Sequence, residues 1–251
     1  MSDLKGKTAI VTGGSRDIGR SCSVKLGEQG CNVVVNYNSN QAAADETVAT
    51  IKAAGGKAIA VKGDMTKKAD VDRLVAEAVK AFGDDIHVLV NNVGGLVARK
   101  KLAEMDEDFF NHVMALNMNA TFLTTQAVVP NMPKGGSIVN LASLAGRDGG
   151  GGGAAAYSVA KGAVMTFTRS MAKELGPDGI RCNALCPGMI DTTFHDTFTP
   201  DAVRKNVENS VPLRRQGHPD DCADAVVYLA SEKSAYITGA NIDINGGMFF
   251  S

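Results

Sequence analysis

The sequence has little that would serve a polyanion, a bilayer or a metal ion. Its 26 basic and 27 acidic residues leave a formal net charge of −1, which gives no reason to expect nucleic acid or an anionic membrane as a partner. No apolar stretch approaches the ~18 consecutive residues that a bilayer span requires. The opening Met1-Ser2-Asp3-Leu4-Lys5-Gly6-Lys7 lacks the apolar core of a secretory signal. The five cysteines, Cys22, Cys31, Cys182, Cys186 and Cys222, are odd in number and never spaced Cys-x-x-Cys. That argues against a zinc site and for reduced thiols in a cytoplasmic compartment. His87, His112, His195 and His218 are scattered without metal-ligand spacing. Linker-like stretches and internal repeats are also missing, so residues 1–251 read as a single domain, a length that α/β folds often reach as one unit.

What the chain does have is alternation. Short apolar runs at Thr8–Val11, Asn32–Val35, Ala58–Val61, Val88–Asn91, Ser137–Leu141, Arg181–Leu185 and Asn241–Ile244 are the strand candidates. Several, such as Val33-Val34-Val35, are apolar without period-2 alternation, as expected of parallel strands covered on both faces. Between them, helical patterns run over Ile18–Gln29, Ala42–Ala54, Ala69–Phe82, Asp106–Val129, Ala156–Leu175 and Asp220–Ala230. Gly30, Gly55-Gly56, Gly83 and Gly176-Pro177 follow helices, where a left-handed residue is useful. The pattern predicts an α/β fold: one doubly wound parallel sheet of about seven strands with helices on both faces. Two segments break the rhythm. Five glycines at Gly149–Gly153 are too flexible to belong to an element, and Gly188 to Gln216 shows no clear periodicity and reads as a substrate lid.

Two motifs carry chemistry. Thr12-Gly13-Gly14-Ser15-Arg16-Asp17-Ile18-Gly19 leaves the first strand and opens the first helix. Such a turn aims backbone N–H groups and a helix dipole at an anion. Further on, Tyr157 and Lys161 lie four residues apart in an unbroken helical stretch and share a face. An ammonium beside a phenol favours the phenolate. Ser143 ends an apolar run, so its hydroxyl emerges near a strand's carboxyl end.

Taken together with Asn91-Asn92-Val93-Gly94, Asn117, Asn183-Ala184 and Pro187-Gly188, these motifs resemble the short-chain dehydrogenase/reductase family, and within it members similar to 3-oxoacyl-carrier-protein reductase. The resemblance runs from Lys7-Thr8-Ala9 to Ile244-Asn245-Gly246-Gly247 and implies a Rossmann domain with a nicotinamide cofactor. It makes Tyr157 the general acid toward a carbonyl, with Ser143 holding the same oxygen. Lys161 would lower the tyrosine pKa and hold the nicotinamide ribose, and Asn117 would anchor a water linking Lys161 to solvent. Gly13, Ser15, Arg16, Ile18 and Gly19 would cradle the diphosphate, and Asn36, Asn38 and Ser39 would meet the adenosine ribose. Asp64 and Met65 would border the adenine, Asn91 and Gly94 its ribose, and Pro187, Gly188, Ile190 and Thr192 the nicotinamide end. The second strand ends in Asn36-Tyr37-Asn38-Ser39 without an acid, and Arg16 stands in the turn, so NADP(H) is expected ahead of NAD(H).

Asp17 departs from the family pattern, which has glycine or alanine there; it either repels the diphosphate or caps the first helix. The expected activity is reduction of a carbonyl in a 3-oxoacyl thioester, a small keto sugar or a keto acid. The polar His195, Asp196, Thr197 and Thr199 of the lid suit a hydroxylated substrate at least as well. The alternative is a dinucleotide-binding regulator or scaffold without turnover. A homotetramer is implied by the resemblance alone.

Overall fold

Apolar runs without alternation become strands with no wet face. In the computed structural model, which describes residues 3–250, β1 (Thr8–Val11), β4 (Val88–Asn91) and β5 (Ser137–Leu141) are buried at every position. With β2 (Asn32–Tyr37), β3 (Lys57–Lys62), β6 (Arg181–Pro187) and β7 (Asn241–Ile244) they form, among the described residues, one parallel sheet in the order β3-β2-β1-β4-β5-β6-β7. The register is continuous, with Ile10 opposite both Val34 and Leu89.

Helices cover both faces because each strand must return to its start on one side or the other. On one face α1 (Asp17–Glu28), α2 (Gln41–Ala53) and α10 (Pro219–Ala230) bury Cys22, Leu26, Ile51, Val226 and Leu229 against Val11, Val33 and Val35. On the other, α3 (Lys68–Phe82), α5 (Ala120–Val128) and α7 (Ala155–Leu175) bury Leu74, Val128 and Leu175 against Ile10, Val34 and Ile138. All five cysteines are free and buried. Burial pushes the thiols of Cys31, Cys182 and Cys222 up to about 12, so they stay protonated and unreactive.

Three expectations need correction. The stretch expected as one helix over Asp106–Val129 is α4 (Glu107–Met114), capped by the Asp106 carboxylate on the Phe109 N–H, then a π turn over Ala115–Asn119, then α5. The left-handed glycine after α7 is Gly179, at φ +76°, because Gly176-Pro177-Asp178 continue as a 3-10 turn. The lid expected to be irregular contains two helices, α8 (Thr193–Phe198) and α9 (Asp201–Ser210). Their exposed polar faces hide the periodicity on which a sequence reading depends. The glycine run does form a connecting loop, between a short α6 (Ala145–Asp148) and α7, with Gly149, Gly150 and Gly153 at positive φ.

A buried polar network ties the middle of the sheet to the helices above it. Asn91 of β4 and Asn140 of β5 lie opposite each other, and Asn91 Nδ2 donates to Asn140 Oδ1 at 2.9 Å. Asn91 also donates to the Thr125 hydroxyl and accepts from that of Thr124, both on α5. Asn140 donates to the Thr168 hydroxyl on α7 at 2.9 Å. Every member is nearly fully excluded from water, so an orphaned N–H has no substitute partner. Asn140→Ala should therefore cost about 1–3 kcal/mol of unfolding free energy, read from the denaturant midpoint at unchanged slope. A loss under ~0.5 kcal/mol would mean that the network is not what holds α5 and α7 in place.

Candidate active site

The sheet order reverses direction between β1 and β4, which opens a crevice at their carboxyl ends. The glycine turn lies there because side chains cannot. A Cβ on Gly19 would come within 2.1 Å of the Gly13 carbonyl, and one on Gly14 within 2.7 Å of the Ser23 hydroxyl. The turn is held from below: Asn36 Oδ1 accepts from Gly13 N–H at 3.0 Å, and Asn36 Nδ2 donates to the Gly63 carbonyl at 3.0 Å. It is held from the side by Asn92, whose Nδ2 donates to the carbonyls of Thr12 and Gly13, each at 3.1 Å. The Thr12 hydroxyl returns the contact by accepting from Asn92 N–H at 2.9 Å. Arg16 precedes α1 without any side-chain cap. A bare glycine cradle below an uncapped 12-residue helix fits the diphosphate of a dinucleotide.

The second half of the site is built at the end of β5. Ser143 lies just past the strand, where its Oγ accepts from Ala145 N–H at 3.1 Å and its hydroxyl lies near enough to the Tyr157 phenol of α7 to favour the phenolate. α6 and α7 approach closely enough that a Cβ on Gly146 would sit 2.8 Å from Gly162 N. Ser158 donates to the Gly149 carbonyl at 2.6 Å, anchoring the glycine loop to the first turn of α7. Lys161 is 4% exposed, and its Nζ donates to the Leu141 carbonyl at 2.6 Å. A Cβ on Gly94 would reach within 2.9 Å of that Nζ and 2.5 Å of Asn117 Oδ1, so the glycine turn after β4 makes room for the ammonium.

Electrostatics here differ from the sequence expectation. Burial raises the Tyr157 pKa above the ordinary tyrosine value, against the opposing Ser143 hydrogen bond. Lys161 lies 5.8 Å from the phenol ring centroid and spends its short hydrogen bond on a backbone carbonyl. Its own pKa falls to about 8 because burial disfavours the ammonium. In this structure the phenol is thus kept protonated rather than ionised by its neighbour. The Asn117 side chain is likewise committed: it accepts from Gly95 N–H at 3.0 Å and donates to the carbonyls of Gly95 and Val113. It fixes the Gly94-Gly95 loop, which leaves no free amide N–H to hold a water.

The lid roofs this arrangement. Phe194 of α8 lies 5.9 Å from the Tyr157 ring and 5.1 Å from that of Phe198. The polar lid residues face one another instead: His195 Nδ1 meets the Thr199 hydroxyl at 2.9 Å, Asp196 pairs with Arg204 at 2.6 Å, and Thr197 donates to Thr193 O. Burial, with Arg204 and Arg99 nearby, lowers the His195 pKa to about 4, so its imidazole is neutral. What this segment shows to Tyr157 is the Phe194 ring. Asp17 was expected to cap α1 but does not. Its carboxylate accepts from Thr193 N–H at 3.1 Å and from the Thr193 hydroxyl at 2.6 Å, on the lid.

The remaining expected cofactor residues fall into two groups. Ser15, Arg16, Ile18, Asn38, Ser39 and Asp64 line the turn and the carboxyl ends of β2 and β3, with Arg16, Asn38 and Ser39 exposed. Met65 lies there too and Asn91 ends β4, yet both side chains are buried, Asn91 in the polar network and Met65 in the core. At the other end, Pro187 closes β6, a Cβ on Gly188 would meet Asn245 at 2.8 Å, and Ile190 is buried beside Gly217. Thr192 donates to the Ile190 carbonyl at 3.1 Å. Sequence reasoning gave no role to Phe194 or Arg99, and it named Thr12 and Asn92 only within the glycine turn and the Asn91-to-Gly94 run, not as braces of the turn. Arg99 bridges the glycine loop and the lid by donating to the Gly152 and Phe198 carbonyls. Thr12 and Asn92 were findable as polar residues at the ends of the two strands that flank the switch point. Phe194 and Arg99 left no local signal.

Residues 13–249 match the family described as Enoyl-(Acyl carrier protein) reductase. The chain is 38% identical over 245 residues to the 3-oxoacyl-[acyl-carrier-protein] reductase FabG of Staphylococcus epidermidis, covering 97% of this chain and 99% of that one. It superimposes on the short-chain dehydrogenase/reductase from Serratia marcescens with a TM-score of 0.92 at 32% identity, over 97% of this chain and 98% of that one. On the NADH-dependent reductase A1-R′ responsible for alginate metabolism the TM-score is 0.91 at 33% identity, with both chains fully covered.

The lowered Lys161 pKa gives a direct check. With lysines 13C-labelled at Cε, one resonance should titrate near pH 8, charged below and neutral above, and should vanish in Lys161→Met. If every lysine titrated near its ordinary value of ~10.4, the ammonium would have to be better solvated than the structure shows.

Proposed function

The chain belongs to the short-chain dehydrogenase/reductase family, and on that premise we propose that it is an NADP(H)-preferring carbonyl reductase acting on 3-oxoacyl thioesters ahead of small keto sugars or keto acids. The observation that carries the reading is the Ser143 hydroxyl beside the Tyr157 phenol, with a buried ammonium at the same end of the sheet as the glycine cradle. When bound, the dinucleotide supplies or takes up a hydride. The chain's residues supply the rest. The Ser143 hydroxyl holds the substrate carbonyl oxygen, and the Tyr157 phenol, kept protonated by burial, delivers its proton to that oxygen as negative charge develops there. Lys161 has further ammonium N–H groups beyond the one on Leu141 O and uses them for the ribose hydroxyls. Phe194 over Tyr157 excludes water and offers an apolar wall suited to an acyl chain.

The cofactor choice is supported by an exposed Arg16 in the turn and by the lack of a carboxylate in Asn36-Tyr37-Asn38-Ser39. Exposed Phe122, packed edge-on against Phe167 of α7, and exposed Val159 support a homotetramer assembled through α5 and α7. Buried, unpaired thiols suit a reducing, cytoplasmic setting.

Tyr157→Phe should lower kcat/KM at least ~100-fold while leaving dinucleotide binding intact. The assay is loss of reduced-cofactor absorbance with a 3-oxoacyl thioester, and full activity in this variant would refute the mechanism. Arg16→Ala should raise the KM for NADPH about tenfold and leave that for NADH unchanged. Equal efficiency of the two cofactors in the native protein would refute the preference.

A further inference from the structure

Asp17 is an unusual residue in an unusual place. It has φ +50°, a left-handed backbone that side chains seldom adopt, at the first position of α1. Its carboxylate turns away from its own helix and accepts both the backbone N–H and the hydroxyl of Thr193, 176 residues later. Thr193 is the first residue of α8, and Thr192 before it gives that helix no side-chain cap. Asp17 therefore does for the lid helix what an N-cap normally does from within the same helix. α8 is also the helix whose Phe194 lies over Tyr157. The rest of the lid is held by other contacts, the Ile190–Gly217 bridge, Arg204 on Asp191, Asp196 and Gln216, and Arg99 on the Phe198 carbonyl. Among the described residues, the side-chain hydrogen bonds from α8 to the glycine turn are those of the Asp17 carboxylate.

That carboxylate also lies in the first turn of the helix whose N-terminus faces the cradle. Arg16 Nε stands 3.9 Å away and is 73% exposed, so it offsets the charge only partly. A diphosphate in the cradle would meet like charge.

Building on the dinucleotide reading above, we propose that Asp17 is a positioning residue that docks the lid helix over Tyr157 before any cofactor binds, and that its charge weakens the hold of the cradle on the dinucleotide. The protein thus keeps a preformed roof in exchange for looser, faster-releasing cofactor.

Two variants of the full chain separate the tie from the charge. Asp17→Gly relieves the left-handed backbone and removes both. Asp17→Asn keeps an acceptor for Thr193 and removes only the charge. Hydrogen exchange of residues 193–198 in the free protein should speed up several-fold in Asp17→Gly and stay near native in Asp17→Asn. NADPH, followed by its own fluorescence, should bind both variants about tenfold more tightly than native, and the difference should shrink at high salt. Unchanged exchange in Asp17→Gly would overturn the tie. Dinucleotide affinity equal to or weaker than native in both variants would overturn the role of the charge. Neither readout needs turnover, so an inactive substrate panel leaves both intact. If the native chain bound no NADPH at all, the dinucleotide reading would fall, while the exchange comparison would still decide whether Asp17 docks the lid.

Discussion

The burial of one ammonium group organises this molecule. Lys161 gives up nearly all contact with water, and an ammonium so placed must find fixed oxygen partners or lose its proton. The Leu141 carbonyl can serve only because β5 ends there and frees it from the ladder. The space around Nζ exists only because residue 94 has no side chain, and the loop carrying it stays put only because Asn117 holds Gly95 by both its N–H and its carbonyl. Three separate elements, β5, the loop after β4 and the π turn before α5, thus converge on one charge. Tyr157 sits one turn away on α7 and inherits its position from that convergence.

The same economy governs the cofactor side. Polar groups at the strand ends hold loops before they touch any ligand: Asn36 carries Gly13 and Gly63, and Asn92 carries Thr12 and Gly13. A glycine-rich turn left alone would sample many conformations. With amide side chains fixing its carbonyls and N–H groups from two directions, it becomes a rigid cradle. The lid is the opposite case. Arg204 secures it to itself through Asp196 and Gln216, and Thr193 on Asp17 and Phe198 on Arg99 tie it to the body.

How much of this was legible depended on whether the cause was local. The runs at Thr8–Val11, Val88–Asn91 and Ser137–Leu141 carry their burial in their own composition, and their strands, like that of the half-buried Asn241–Ile244, fall on the expected boundaries. The Tyr157–Lys161 spacing is a property of one helix, so their shared face was also readable. The direction of the Lys161 ammonium was not, since it is set by a carbonyl twenty residues away on another element. Asp17 was misread for the same reason: a carboxylate at a helix start looks like that helix's cap, and its actual partner is at the far end of the chain. Asn91 misled in the other direction. Its place at a strand end suggested ligand contact, while its register opposite Asn140 turns the amide into the core.

The π turn at Ala115–Asn119 has a consequence for how this chain can vary in length. A π turn accommodates one residue more than a regular helical turn would hold, and each residue of an α-helix advances about 100° around the axis. Deleting any one residue between 115 and 119 would give a smoother helix and a worse protein. Because the turn takes up the extra residue locally, α4 and α5 would keep their phase, and the shift would fall on the turn itself, carrying Asn117 off Gly95. The irregular turn acts as a phase adjuster between two helical segments that answer to different neighbours.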